Sequence, residues 1–290
     1  MPVVAVINRK GGSGKSTLAT HLAACCAAGG LRVMLGDVDK QQSSLGWLRR
    51  RAAEPSAQGA VIAGWAADAR SVLRPPGGVT HVVLDTPGAL RGFDLARVAM
   101  QADAILVPTC ASAFDREAAA DCCAELMALP RVASGRCRVG VVGMRLDART
   151  KAGAQLAAWA ARHGLDYVGS LRESQAYVRS SELGLTLFDL PPEKVEADLA
   201  QWRPIVDWVH AAWAASERAD QAARAPMKPT ERPIDVPPQA RSSSARVRPV
   251  APVMLDSAPS FGRRLAERLQ SLVGSLRPGH GAARAPSAWR

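Results

Sequence analysis

The stretch Arg9–Thr17 reads RKGGSGKST and follows the apolar run Val3–Ile7 after one residue. Its three glycines allow a tight turn between a buried strand and a helix, and such a turn aims several backbone N–H groups at one point. The amino terminus of the following helix adds partial positive charge at the same place. The stretch therefore predicts a loop that binds the phosphates of a nucleoside triphosphate.

Two lysines distinguish this loop. The common form of the motif, G-x-x-x-x-G-K-[ST], assigns Lys15 to the β- and γ-phosphates and Ser16 to Mg²⁺. That form has glycine where this chain has Arg9, and it does not require the lysine found as Lys10. Because charged side chains inside a glycine run contribute nothing to a packed core, a nucleotide site is favoured over a turn without a ligand.

The run Lys10–Thr17 resembles the deviant Walker A motif of the ParA/MinD family of ATPases. The resemblance implies that Lys10 reaches across a dimer interface to the phosphates of the second subunit's nucleotide, whereas Lys15 binds the nucleotide of its own subunit. The residues implied to bind ATP are Lys10, Gly11, Gly12, Ser13, Gly14, Lys15, Ser16 and Thr17.

A second motif, Asp37–Gln41 (DVDKQ), closes a predicted strand and resembles switch I of the family, commonly D-x-D-P-Q. Matching residue for residue implies that Asp39 positions the attacking water and that Asp37 lies near the metal. Lys40 stands where the family commonly has proline. The alternative interpretation is that the two aspartates merely end a strand. Together with Lys10 and Lys15, Asp39 forms the implied catalytic set.

A third motif, Val82–Gly88 (VVLDTPG), is an apolar strand that ends in an acid and a glycine turn. This pattern is typical of a Walker B strand followed by switch II, in which Asp85 steadies the Mg²⁺ shell through water or Ser16. ATP and Mg²⁺ are therefore the expected cofactors. The expected metal residues are Ser16, Asp37 and Asp85.

Recognition of the base is implied only loosely. Ala102–Asp115 resembles the next strand and loop of the family, and Met144–Thr150 resembles the segment after the following strand. Many relatives carry in that segment an asparagine that contacts adenine, and the comparable residue here is Met144. The choice of ATP over GTP therefore depends on the family resemblance alone.

Strand-like apolar runs alternate with helix-period segments up to residue 215. This alternation predicts an α/β fold with a mostly parallel, doubly wound sheet and helices on both faces. Together with the loop motif, the family resemblance implies that this is a P-loop NTPase sheet. A helix is predicted over 16–28, and a terminal helix is predicted to pack on the sheet through a Trp-rich stripe between Trp202 and Trp213. The predicted strands are 3–7, 32–37, 81–85, 104–108, 138–144 and 166–171.

Composition changes after the ATPase-like region 1–215. Prolines recur through 216–257, which predicts a disordered linker, and 258–290 is a basic tail with a candidate amphipathic helix over 260–277. The chain has a formal net charge of +11, and residues 216–290 hold thirteen Lys or Arg against six Asp or Glu. A polyanionic partner is therefore expected, either nucleic acid or an anionic membrane.

The family resemblance, closest to the short solitary members, implies a ParA-type ATPase with weak intrinsic turnover. Such a protein forms a homodimer with ATP, binds non-specific DNA, and positions or partitions a plasmid, a chromosome region or a protein cargo. A stimulating or cargo-adaptor protein, which the sequence does not identify, accelerates hydrolysis. The candidate DNA contacts are Arg149, Arg172 and Arg179.

Three alternatives stay open at this point. A MinD-like ATPase that cycles on a membrane would use the helix 260–277 on anionic lipid, although Gly262 and Gly274 weaken that helix. The same helix could instead dock a cargo protein. A metabolic enzyme that uses ATP for ligation or reduction lacks visible substrate machinery.

The expected location is cytoplasmic and nucleoid-associated. No uncharged apolar run of about 18 residues occurs, and no basic segment precedes the first strand, so neither a membrane-spanning helix nor a signal peptide is expected. The six cysteines include no C-x-x-C pair, which favours small core residues in a reducing compartment over metal ligands.

Overall fold

The computed structural model describes residues 1–57, 59, 61–66 and 75–224, so the predicted helix 260–277 lies outside the described residues. Seven strands and eight α-helices are described, together with a 3-10 turn at Leu187–Asp189. In chain order they are β1 (Val3–Val6), α1 (Lys15–Ala28), β2 (Val33–Asp37), α2 (Ser43–Ala53), β3 (Ala63–Ala66), β4 (His81–Asp85), α3 (Gly92–Gln101), β5 (Ala104–Thr109), α4 (Ala113–Met127), α5 (Pro130–Ala133), β6 (Arg138–Leu146), α6 (Ala152–Arg162), β7 (Asp166–Arg172), α7 (Gln175–Glu182) and α8 (Pro192–Arg224).

The strands form one parallel sheet in the order β3-β2-β4-β1-β5-β6-β7. β1 is the central strand, and its last residue, Val6, lies opposite Asp85 of β4 and Leu106 of β5. In the neighbouring pair, Asp37 of β2 lies opposite Asp85. The carboxyl ends of β1, β2 and β4 therefore meet at one edge, and the predicted doubly wound α/β fold is confirmed.

Both faces of the sheet are covered. Alternate side chains of β1 point to opposite faces, so Val4 and Val6 belong to one core whereas Val3 and Ala5 belong to the other. The first core is shared with α1, α2 and α8, and the second with α3, α4 and α6. Burial on both faces explains why the strands are continuous apolar runs without polar alternation.

One strand was missing from the sequence prediction. β3 is four residues long, reads AGWA, and lies at the edge of the sheet beside β2. Its residues alternate between half-buried and exposed. A short edge strand made of two alanines, one glycine and one tryptophan has no β-branched residue, so it carries little of the signal on which strand prediction depends.

The predicted boundary at 215 was placed too early. α8 continues without a break from there to Arg224, so the linker prediction is wrong for 216–224. This segment contains neither glycine nor proline, and Ser216 is buried with its hydroxyl 2.6 Å from Asp103 Oδ1. The proline density that indicated a linker begins only at Pro226.

A buried histidine lies where α1 packs against α8. His21 is fully buried and its ring stacks on Trp202, with the ring centroids 5.6 Å apart and the planes at 11°. The Tyr177 ring lies 5.0 Å away, and His21 Nδ1 is 2.9 Å from the Thr17 carbonyl oxygen. Burial lowers the pKa of His21 to about 4, so the folded protein holds the imidazole neutral at pH 7.

Acid should therefore destabilise the fold through His21. The unfolded chain binds a proton at this residue below about pH 6.5, whereas the folded chain does so only near pH 4, so stability is lost as the pH falls between these values. Between pH 7 and pH 4 we expect the free energy of unfolding, measured with urea, to fall by about 3 kcal/mol more in the wild type than in His21→Phe. His163→Phe, at an exposed position, is the control, and equal pH slopes for the wild type and His21→Phe would contradict the prediction.

Candidate nucleotide-binding site

The glycine loop connects β1 to α1 at the carboxyl edge of the sheet. Gly12 and Gly14 have φ of 70° and 94°, the left-handed region in which a side chain is strained. A Cβ atom on Gly14 would lie 2.7 Å from the Met144 side chain. The loop conformation therefore requires glycine at these two positions, as a phosphate cradle of backbone N–H groups does.

Asn8 anchors the start of the loop, a role that the sequence analysis missed. This residue is buried; its Nδ2 donates to the Pro108 carbonyl oxygen at 2.7 Å, and its Oδ1 accepts from the Lys10 backbone N–H at 3.0 Å. One amide thus ties the loop to the end of β5. A polar residue directly between a buried strand and a glycine run was the available signal.

The two lysines of the loop take opposite directions. Lys15 is buried at the start of α1, and its Nζ donates to the Lys10 carbonyl oxygen at 3.0 Å. Burial lowers the pKa of Lys15, and the charges of Asp85 and Asp39 oppose this shift. The Lys10 side chain is 38% exposed, and its Nζ lies 2.5 Å from Asp115 Oδ1. Only Lys15 is therefore held inside the loop.

Asp115 holds Lys10 from the first turn of α4. Ser112 caps this helix, because its hydroxyl accepts the Asp115 backbone N–H at 3.1 Å. Partial burial raises the pKa of Asp115, but the hydrogen bonds from Lys10 and Ser112 outweigh it and leave the pKa below its usual value. Asp115 therefore stays ionised as the counter-charge of Lys10.

The carboxylates of Asp37 and Asp85 lie at the ends of neighbouring strands, and both are buried. Asp37 accepts from three backbone N–H groups of the switch I segment: Asp39 at 3.0 Å, Ser44 at 2.9 Å and Leu45 at 3.2 Å. Burial raises the pKa of Asp37, and these hydrogen bonds oppose the shift. Asp37 therefore holds the switch in place and accepts two of the first backbone N–H groups of α2, a role that the sequence did not indicate.

Asp85 has one oxygen engaged and one left over. Its Oδ2 accepts from the Ser44 hydroxyl, whereas its Oδ1 has no hydrogen-bond partner among the described residues. Burial raises the pKa of Asp85 to about 6, against the opposing effects of the Ser44 and Ser16 hydroxyls. A buried carboxylate oxygen without a partner is a place where a cation gains favourable contact.

These residues fit a Mg²⁺ ion. No group of three or more His, Cys, Asp or Glu suited to a metal occurs within the described part of the chain. Mg²⁺ in phosphate sites needs no such cage, because one or two protein ligands suffice beside phosphate oxygens and water. Ser16, half-buried at the start of α1, and the free oxygen of Asp85 are residues of the required type.

Switch II and Asp39 lie close to the loop. The Thr86 hydroxyl donates to the Val6 carbonyl oxygen at 2.7 Å, and a Cβ on Gly88 would lie 3.3 Å from the Gly11 backbone nitrogen. Asp39 is half-buried, and its Oδ1 accepts the Gln41 backbone N–H at 3.0 Å. Asp39 and Asp85 both lie close enough to Lys15 for their charges to affect the pKa of that lysine.

The end of β6 carries Met144 at the position where many relatives have an asparagine that contacts adenine. Met144 is buried beneath Gly14, whereas the next residue, Arg145, is exposed and has a left-handed φ of 52°. The Arg145 guanidinium contacts the Gly12 carbonyl oxygen and lies 3.4 Å from Cys110 Sγ. Arg145 is therefore a polar side chain at the loop that the sequence analysis did not single out.

The three candidate DNA arginines have different surroundings. Arg149 is highly exposed and pairs with the exposed Asp147 at 2.8 Å, and Arg179 is exposed on α7. Arg172 instead makes two hydrogen bonds, 2.6 and 2.9 Å long, to Asp198, which is 1% exposed. Arg172 therefore neutralises a buried carboxylate and links β7 to α8.

A parallel sheet with a lysine-bearing glycine loop after its central strand, and acids at the ends of two neighbouring strands, defines a P-loop nucleotide-binding protein. Residues 4–188 match the family model described as the CobQ/CobB/MinD/ParA nucleotide binding domain. The chain belongs to this family, and its predicted class, the P-loop ATPases of the ParA/MinD type, is confirmed.

Individual relatives agree with this assignment. The chain is 45% identical over 109 residues to maintenance of carboxysome distribution protein A from Gloeobacter kilaueensis, a match that covers 37% of this chain and about half (48%) of that protein. The fold is similar to that of apo McdA from Cyanothece, with a TM-score of 0.55, 17% identity and coverage of 73% of this chain and 99% of that one. An ATP complex of McdA from Cyanothece gives a TM-score of 0.53 and 18% identity, with coverage of 73% and 96%.

The Arg172–Asp198 pair should stabilise the fold, whether or not Arg172 also contacts DNA. Arg172→Gln leaves a buried carboxylate without its counter-charge, and we expect the free energy of unfolding to fall by about 3 kcal/mol. Arg149→Gln, which breaks a pair between exposed side chains, is the matched control and should cause no measurable loss. Urea unfolding of both variants is the measurement, and an equally stable Arg172→Gln protein would contradict the prediction.

Proposed function

We propose that this chain is a ParA-type ATPase that dimerises with ATP, binds DNA without sequence preference and positions a cargo, with hydrolysis stimulated by a partner protein. The observation that carries the proposal is the divergence of the two loop lysines. Lys15 lies buried inside the loop, whereas Lys10 lies at the surface on Asp115. A P-loop that served only its own nucleotide has no use for the second lysine.

In the proposed ATP state, the backbone N–H groups of Gly11–Thr17 bind the phosphates and Lys15 contacts the β- and γ-phosphates. Mg²⁺, when bound, would supply positive charge that stabilises the negative charge developing on the transferred phosphoryl group. Ser16 and Asp85 are the residues that would hold it. Asp37 contributes by fixing the switch I backbone against the end of β2.

Asp39 is proposed to orient the attacking water. Its carboxylate is half-buried and lies close enough to Lys15 that its charge affects the pKa of that lysine. A carboxylate beside the loop lysine, on a segment that a ligand can move, is suited to hold a water in line with the γ-phosphate. Among the described contacts, Asp39 uses only its Oδ1, which accepts the Gln41 backbone N–H, so its other carboxylate oxygen is available for a water.

The dimer is proposed to form by exchange of a counter-ion. Lys10 must leave Asp115 before it contacts the phosphates of a second subunit, and the more highly charged triphosphate is the stronger attractor. ATP binding would thus favour dimer formation, and loss of the γ-phosphate would allow Lys10 to pair with Asp115 again. This exchange gives a physical reason for a dimer that depends on nucleotide.

The task of positioning a cargo is proposed from a relative, and the DNA-binding surface is proposed from exposed arginines. The curated relative is named for the distribution of carboxysomes, and we extend to this chain only the general task of placing a large cargo. Among the described residues, every helix is too short or too polar to cross a bilayer. Arg149 and Arg179, both exposed beyond the carboxyl ends of β6 and β7, are the proposed DNA contacts, which would associate the protein with the nucleoid.

Substitution of the two lysines should have different consequences. Lys15→Ala removes the contact to the protein's own phosphates, so we expect loss of ATP binding. Lys10→Ala should keep ATP affinity within about threefold of the wild type but stay monomeric and lose turnover, because its proposed target lies on the second subunit. Equilibrium binding of a fluorescent ATP analogue and light scattering with ATP measure the two effects.

Lys194→Ala, an exposed lysine on α8, is the matched control and should behave as the wild type. An ATP-dependent dimer of normal strength in Lys10→Ala would exclude the proposed role of Lys10 across the interface.

Co-sedimentation with DNA and with liposomes, at matched salt, tests whether the protein binds DNA or a membrane. With ATP, the protein should bind duplex DNA of any sequence, and its affinity should fall steeply with salt as counter-ions are released. Arg149→Glu and Arg179→Glu should each weaken this binding several-fold. Arg136→Glu, an exposed arginine just before β6 at the opposite edge of the sheet, is the charge-matched control.

Deletion of residues 258–290 should reduce DNA binding without abolishing it, because the folded part carries its own proposed contacts. ATP-dependent binding to anionic liposomes that disappears on this deletion, with no DNA binding in either protein, would replace the nucleoid proposal by a membrane one.

A further inference from the structure

Ser44, the second residue of α2, connects the two carboxylates of the site. The residue is fully buried. Its hydroxyl donates to Asp85 Oδ2, and its backbone N–H donates to Asp37 Oδ2 at 2.9 Å. A residue at the beginning of the switch I helix therefore contacts the ends of both β2 and β4.

The hydroxyl fixes the orientation of Asp85. With Oδ2 occupied by Ser44, the buried Oδ1 is left as the oxygen without a partner in the described structure. A carboxylate held in this way by one hydrogen bond presents its other oxygen in a defined direction. This is the arrangement of a metal residue supported from behind by a hydrogen-bond donor.

α2 is anchored at its other end as well. Trp47 Nε1 donates to the Leu185 carbonyl oxygen at 3.2 Å, and the buried Arg51 makes hydrogen bonds of 2.8 and 2.9 Å to the two carboxylate oxygens of Asp189. The carboxyl-terminal half of the helix is thus fixed to the segment before α8. A change at Asp85 is therefore transmitted mainly to the amino-terminal turn of α2 and to the switch I residues before it.

We propose that Ser44 is a positioning residue that aims Asp85 at the divalent cation and thereby links cation binding to the position of switch I. The proposal rests on the proposed function, because the cation is the one that accompanies the nucleotide. The sequence motif carries no sign of this role, since Ser44 lies five residues beyond Asp39 and 41 residues before Asp85.

The test compares the affinity of the full chain for ATP with Mg²⁺ and with EDTA. In Ser44→Ala the affinity without Mg²⁺ should match the wild type, whereas the Mg²⁺ concentration that half-restores tight binding should rise by about 10- to 100-fold. The backbone bond to Asp37 persists in this variant. Ser43→Ala, one residue away and exposed, is the control and should leave the Mg²⁺ dependence unchanged.

Two further measurements separate positioning from stability. Ser44→Thr keeps a hydroxyl and should restore most of the Mg²⁺ affinity, including in the case that Ser44→Ala folds poorly. Hydrogen exchange of the amides of 39–47 should slow when Mg²⁺ is added to the ATP-bound wild type and to Ser44→Thr, but not to Ser44→Ala.

The outcomes are distinguishable. If the wild type binds ATP more tightly with Mg²⁺ and Ser44→Ala shows the same Mg²⁺ dependence, the inference about Ser44 is overturned and the proposed function stands. An equal loss of affinity with and without Mg²⁺ in both Ser44 variants would also overturn it, in favour of a purely structural serine. A wild-type chain that binds no ATP under either condition would contradict the proposed function itself.

Discussion

The parallel alignment of β1, β2 and β4 is the constraint on which the rest of the site depends. Parallel strands end at the same edge of a sheet, so the chain delivers the glycine loop, Asp37 and Asp85 to one place although they are far apart in sequence. The apolar side chains that bury both faces of the sheet fix this alignment. Burial of these side chains therefore stabilises the loop backbone in the conformation that binds phosphate.

Charge pairing divides the polar residues into two groups. Arg51 with Asp189 and Arg172 with Asp198 join carboxylates that are buried, and such pairs hold elements together because breaking either one leaves an uncompensated charge. The Lys10–Asp115 pair differs in its carboxylate, because the Asp115 side chain is 14% exposed whereas the side chains of Asp189 and Asp198 are each 1% exposed. A pair of this kind is suited to exchange, whereas the buried pairs are suited to permanence.

The sequence predicted most of the strands because each is a run of buried apolar residues, and it predicted the loop because glycines and lysines are required there by backbone geometry and charge. It did not predict β3, a four-residue strand at the edge of the sheet in which Trp65 is the one residue with high strand propensity. It also placed the end of the folded part before the last nine residues of α8, where alanine-rich sequence resembles a linker in composition but has the propensity of a helix.

The contacts that complete the site could not be predicted from the sequence for another reason. Ser44 with Asp85, Arg172 with Asp198 and Asn8 with Pro108 join residues separated by tens of positions, and no local motif encodes such pairs. Tertiary packing alone brings them together. These contacts, found only in the structure, therefore hold in position the residues that the motifs propose as ligand-binding residues.

We propose that ATP, held in the loop, makes this chain dimerise through its second lysine. The most direct measurement is the molar mass of the Asp39→Ala protein in solution with saturating Mg²⁺ and ATP, determined by light scattering. Because this variant is expected to bind ATP without hydrolysing it, we predict twice the monomer mass with ATP and the monomer mass with ADP. A protein saturated with ATP that remains monomeric at every concentration would contradict the account.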